Sequence, residues 1–148
     1  MKPRIFITLV CAALSLTAAE KRIQRKDLPP KVEQAVQAQS AGATIRGFTQ
    51  ETLHGKTLYE AEMTVNGHGK DVSFDSAGNV VSVEEEIPLE SIPPAAKAAI
   101  EKTAAGSKIN KVEKVTEGGT TSYEAAYRNG GKSREFTVRA DGSPVKSE

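Results

Sequence analysis

From residue 28 to residue 145 the chain switches twice from helical spacing to strict in-out alternation. Val32, Ala35 and Val36 recur at three- and four-residue intervals, as do Ala96, Ala99 and Ile100, so each set lines one face of a helix. Asp27 and Ser91 precede these stretches as expected N-cap residues. Pro29-Pro30 and Pro93-Pro94 fall in the first turn, where a missing N–H costs least. Gly42 and Gly106 follow, placed to end each helix in a left-handed conformation. The stripes are narrow and made largely of small residues, suited to close approach onto a sheet.

Alternation then takes over. The pattern predicts strands over 44–53, 57–65 and 70–75, with turns at Gly55, Asn66-Gly67 and Gly78, and again over 108–115, 122–127 and 132–139, with turns at Gly118-Gly119, Asn129-Gly130 and Asp141-Gly142. In the first central strand Tyr59, Ala61, Met63 and Val65 alternate with Leu58, Glu60, Glu62 and Thr64, which sends the first set to the helix and the second to water or a partner. Tyr123, Ala125 and Tyr127 repeat the inward set. Ile109, Val112 and Val115 lie three apart and cannot share one face of a regular strand, so a bulge is expected there. A fourth strand fits 80–86, but its counterpart contains Pro144 and is expected to be short or an edge.

Sliding the chain by 64 residues aligns 28–81 with 92–145 without a gap, preserving Pro29/Pro93, Gly42/Gly106, Ile45/Ile109, Gly55/Gly119, Tyr59/Tyr123, Glu60/Glu124 and Gly78/Gly142. Coincidence between two alanine-rich helices explains only the first part of that match; an internal repeat explains all of it. The expected fold is α+β: two tandem α-β-β-β units with an optional fourth strand, antiparallel sheet with helices packed on one face. The expected organisation is a signal peptide over 1–19, a polar leader over 20–27, one unit over 28–86, a linker over 87–91 and a second unit over 92–148. Each unit alone would have a marginal core, so both are expected to form one domain.

The first residues read as a cleavable export signal. Lys2 and Arg4 precede an apolar run of about 12 residues, and Thr17-Ala18-Ala19 offers a small-residue cleavage site after Ala19. The run is shorter than the roughly 20 residues that span a bilayer, so no stable membrane anchor is expected after cleavage. The expected location is the periplasm or outside the cell. Cleavage would remove Cys11, the sole cysteine, and with it any disulfide or thiolate chemistry. It would also take the formal charge from +1 to about −1, a balance that argues against nucleic acid as a partner.

Candidate chemistry is sparse. His54 and His68 sit in turns at opposite ends of one strand and are read as solvated. Of the acidic run Glu84 to Glu86, only Glu84 and Glu86 share a face, a weak cation site at best. No G-x-S-x-G elbow accompanies the serines, so no catalytic set is assembled and no cofactor is expected. What remains is the polar sheet face, where Glu60, Glu62, Glu124, Arg128 and Arg139 are the candidate partner-binding residues. Exposed sheet edge near 132–139 offers a second place to capture an extended peptide.

The proline-initiated helix, "AGATIRGF", "GKTLYEAEMTV" and "KDVSFDSAGNVV" together resemble the PepSY-like family, whose members are typically exported bacterial proteins related in fold to a secreted beta-lactamase inhibitor. The resemblance covers most of 28–145. It implies tandem units, an extracytoplasmic setting and a binding or inhibitory role toward an envelope or secreted protein or peptide. It carries over no beta-lactamase contact residue, and fold analogy alone is a weak warrant for function. The alternative expectation is a small-ligand or cation sensor of the envelope.

Overall fold

The structure, a computed structural model, describes residues 20–53 and 55–146. The expected signal peptide and His54 lie outside the described residues. Two compact units divide between Glu86 and Ile87. Among the described residues the chain is α+β, with two α-helices and eight strands in antiparallel pairings.

The first unit runs β1 (Lys21–Ile23), a 3-10 turn (Arg25–Asp27), α1 (Pro30–Gln39), β2 (Thr44–Leu53), β3 (Lys56–Val65), β4 (His68–Asp75) and β5 (Val80–Glu86). Strand order follows chain order. Register Phe48↔Ala61↔Val72↔Val83 puts these side chains on one face with Met63 and Phe74. There they meet Leu28, Val32 and Val36 in a buried cluster, so the helical stripe and the inward set form one core as the alternation predicts.

The second unit carries a 3-10 turn (Leu89–Ser91), α2 (Pro94–Ala104), β6 (Ile109–Glu117), β7 (Thr120–Asn129) and β8 (Lys132–Val138). Ile92, Ala96, Ile100, Val112, Ala125 and Val138 form its core. The predicted bulge is present between Ile109 and Lys111, and a like irregularity lies between Ile45 and Gly47. It returns Ile109 and Val112 to the helix face and leaves Val115 on the other, opposite Ser122. The expected fourth strand near Pro144 is a single bridge, Val138↔Pro144.

Two expectations need correction. Asp27 and Ser91 do not cap the helices, because each ends a 3-10 turn and the N-cap positions are Pro29 and Pro93. Asp27 Oδ2 instead accepts from the Gln24 N–H at 3.0 Å, and Ser91 Oγ donates to the Pro88 carbonyl at 2.7 Å. Pro30 and Pro94 then open the helices with fixed φ and no N–H to satisfy. Residues 20–27, expected as a plain leader, supply the edge strand β1, whose Ile23 packs on the first core.

The β4–β5 turn shows how tightly helix and sheet meet. Asp75 is held below the usual carboxylate range: against the cost of burial, it accepts bonds from Asn79, Ala77 and Gly78. Gly78 has φ +82°, and a Cβ there would stand 2.5 Å from the Lys31 carbonyl oxygen of α1. Gly78→Ala is therefore expected to cost more than the about 1–2 kcal/mol of a left-handed residue alone. A urea midpoint equal to the parent's would show that the turn relaxes freely.

Candidate binding face

The sheet faces opposite the helices are where the sequence places the candidate residues. In the first unit the alternation of β3 puts Leu58, Glu60, Glu62 and Thr64 on this face, with Thr49 of β2 and Ser73 of β4 directly across from Glu60. Thr49, Ser73 and Leu58 are buried, and so are Ser82 and Glu84 on β5. Polar residues on a wet sheet would be exposed; these are not.

Glu60 sits at the centre of that face with no hydrogen bond or ion pair among the described residues. Burial raises its carboxyl to about 7, and the charges of Asp71, Glu62, Glu20 and Glu51 push the same way. Its neighbours are compensated. The Arg22 guanidinium reaches across from β1 to pair with Glu62, passing over Gly47, where a Cβ would stand 2.5 Å from Arg22 Nη2. Arg46, the extra residue of the β2 bulge, donates from Nη2 to Asp71 at 2.9 Å and from Nε to the Met63 carbonyl at 3.2 Å. Glu51 is also raised, by burial and then by Glu20.

In the second unit the face carries a polar row across three strands. Lys111 Nζ pairs with Glu113 Oε1 at 2.8 Å. Glu113 stands directly opposite Glu124, and Thr137 Oγ1 donates to Glu124 Oε2 at 2.9 Å. Both glutamates are buried, at 5% and 7% exposure. Burial raises Glu124 to about 7, Glu135 and Glu113 add to the rise, and the Thr137 bond and Lys111 oppose it. Glu113 and Glu124 thus stand in direct register, and it is Glu124, away from the Lys111 pair, that burial pushes up.

The candidate residues are thus only partly brought together. Glu60 and Glu62 are neighbours on one face, and Glu124 and Arg128 lie on the equivalent side of β7. Arg128 is exposed at the hairpin end, its Nη2 donating to the Gly131 carbonyl at 3.4 Å. Arg139 turns away, its Nη1 bonded to the Pro144 carbonyl at 3.0 Å. Glu84 is buried opposite Asp71, and Glu86 Oε2 accepts from the Gly69 N–H at 2.9 Å. Among the described residues no three His, Cys, Asp or Glu side chains are grouped to hold a metal, and His68 is exposed at the start of β4. Arg22, Arg46, Glu113 and Thr137 were not singled out by sequence. The bulge that aims Arg46 and the cross-strand register that buries Glu113 depend on pairing, which one strand's alternation does not carry.

A family model described as "Putative beta-lactamase-inhibitor-like, PepSY-like" matches residues 57–142. No curated protein matches the chain. Among solved structures, a BLIP-like protein from Bacteroides fragilis superposes with a TM-score of 0.59 at 19% identity, over 82% of this chain and 85% of its own. A DUF2874 family protein from Bacteroides ovatus gives 0.62 at 18%, over 80% and 85%. A structure from Bacteroides eggerthii, described among "putative periplasmic proteins", gives 0.65 at 15%, over 80% and 86%. At these identities the likeness is one of fold. Among the described residues no helix is long and apolar enough to cross a membrane.

Proposed function

The chain belongs to the PepSY-like, beta-lactamase-inhibitor-like family, and on that premise we propose that it is an exported, non-enzymatic module that binds an envelope or secreted protein through the polar sheet faces opposite its helices. One observation carries the reading. In each unit the central strand places a glutamate, Glu60 or Glu124, on the face away from the helix, where burial raises its carboxyl to about 7. Such carboxyls cost stability and concentrate at functional surfaces. A neutral carboxyl can donate as well as accept, which suits recognition of a partner's backbone or amide groups. The apolar N-terminal run and the fold shared with the Bacteroides eggerthii protein support an extracytoplasmic setting.

We also infer that the two units are copies of one α-β-β-β ancestor. Both bulges follow isoleucines 64 positions apart, Ile45 and Ile109, and the rows Thr49–Glu60–Ser73 and Glu113–Glu124–Thr137 keep that offset. Gly142, 64 positions after Gly78, meets α2 as Gly78 meets α1, its Cβ position 2.7 Å from the Ala95 carbonyl oxygen. A crystal structure with bulges at unequal offsets would count against shared descent.

The binding role is tested by capture from the producing cell's envelope fraction, with residues 20–148 as bait and mass spectrometry as readout. Glu60→Ala and Arg128→Glu are the face variants, and Lys102→Glu, an exposed residue of α2 on the helix side, is the control. A partner held by the parent and control but reduced about tenfold by a face variant is the expected result. Equal retention by all baits, or none under crosslinking, removes the proposal.

A further inference from the structure

The β7–β8 hairpin ends in eight consecutive exposed residues, 128–135, the sequence "RNGGKSRE". Its two-residue turn is Gly130-Gly131, one residue later than the expected Asn129-Gly130 because Asn129 still pairs with Lys132, with φ +59° and +78°, the mirror-image turn that suits the natural twist of paired strands. Arg128, Lys132 and Arg134 form no ion pair among the described residues, and Glu135 is the single acid of the stretch. Lys108, exposed one residue before β6, adds a cation at the same end of this unit's sheet, since Ile109 pairs with Tyr127.

The backbone beside this stretch has a direction. Asn129↔Lys132 closes the turn, so the hydrogen-bonded pairs of the ladder are 129/132, 127/134, 125/136 and 123/138. The backbone groups of Ser133, Glu135 and Thr137 therefore point away from β7. The chain shows that this outer edge accepts a strand: the Val145 N–H donates to the Thr137 carbonyl at 2.9 Å, and Val138 bridges Pro144. Over 132–135 no described strand is paired there.

We propose that the outer edge of β8 over 132–135 is a docking site for an extended acidic peptide segment, which adds as an antiparallel strand to Ser133 and Glu135. Lys132 and Arg134 share one side of β8, so a segment with acids two residues apart would place both carboxylates beside them. Charge complementarity selects the acidic occupant, and the main-chain ladder supplies the binding. This edge is read through main-chain groups of β8, whereas the face proposed above is read through side chains. The competing reading is that Lys132 and Arg134 only guard the edge against aggregation, which predicts no binding of any strand.

The test is titration of residues 20–148 with a labelled peptide alternating glutamate and valine, and with its lysine counterpart, read by fluorescence anisotropy and amide exchange. Expected are binding of the acidic peptide alone, weakening with salt, and protection of the Ser133 and Glu135 amides. Ser133→Pro should weaken it about tenfold without loss of the hairpin, because that N–H makes no bond to β7. Should this variant misfold, Lys132→Glu with Arg134→Glu gives the same test through exposed side chains. Lys102→Glu, a charge reversal on the helix side of the same unit, should leave peptide binding unchanged. Equal binding of the lysine peptide, binding indifferent to both edge variants, or none at millimolar peptide overturns the proposal. So does a concentration-dependent dimer abolished by Ser133→Pro, which would make a second copy the occupant.

Discussion

Glu60→Gln combined with Glu124→Gln should stabilise the protein at pH 8 and leave it unchanged near pH 4.5. Both carboxyls are raised to about 7 in the fold, from about 4.5 ordinarily. Between those values the folded chain holds protons that the unfolded chain has released, so stability falls as pH rises and the loss is complete above about 7. Each ionised glutamate then costs on the order of 3 kcal/mol, and the pair about twice that when they act independently. Around Glu60 the facing groups are Glu51, Glu62, Asp71 and Glu20, with Arg22 and Arg46 engaged by Glu62 and Asp71. Around Glu124 they are Glu113, Glu135 and Lys111. At the acid end Glu33, bonded by Arg25 and Gln37, Asp75 and Asp141 are held low and lose their contribution as pH falls through their titration. Thermal melts of parent and double variant from pH 4 to 8.5 check this; parallel curves would mean that neither carboxyl is displaced.

Phe74→Ala should destabilise the first unit by about 3–5 kcal/mol. Phe74 is fully buried on β4, in one cluster with Leu28, Val32, Val36, Phe48 and Met63. Its truncation removes the transfer energy of a whole ring and opens a cavity lined by helix and sheet. Val80, directly across from it on β5 but 43% exposed, is the matched control, and Val80→Ala should stay within about 1 kcal/mol. Urea denaturation followed by circular dichroism separates the two, and a Phe74→Ala midpoint near that of Val80→Ala would show a core able to collapse around the gap.

Much of the fold was legible because local chemistry and global pairing agree. Residues 44–53 and 80–86 form strands at the predicted bounds, and Asn66-Gly67 turns where the dipeptide predicts, with φ of 51° and 85°. The three-residue spacings of Ile109, Val112 and Val115 pointed to a bulge, which lies between Ile109 and Lys111 and reconciles the first two while Val115 faces the other way. The helix starts misled, since a 3-10 turn before a proline pair takes up Asp27 and Ser91 and leaves no side chain for capping. The candidate face was legible as a face and illegible as an environment. Alternation assigns Glu60 and Glu124 to the side away from the helix, but whether water reaches them depends on cross-strand neighbours such as Thr49, Glu113 and Thr137, fixed only by register. Arg139 continues the β8 alternation in sequence, yet the strand ends at Val138 and its side chain is spent on the turn behind it.

Strand order in chain order has a kinetic meaning. From β2 to β5, and again from β6 to β8, each strand pairs with the next across a connection of a few residues. Little chain entropy is lost in closing such loops, so these hairpins can zip within microseconds. The helix stripe is the more distant partner, and its docking onto the finished meander is the step that should limit folding. Apart from β1, which must find β2 across α1, the strands within each unit need no long-range search after the chain is threaded across a membrane unfolded, which suits the exported life proposed for it.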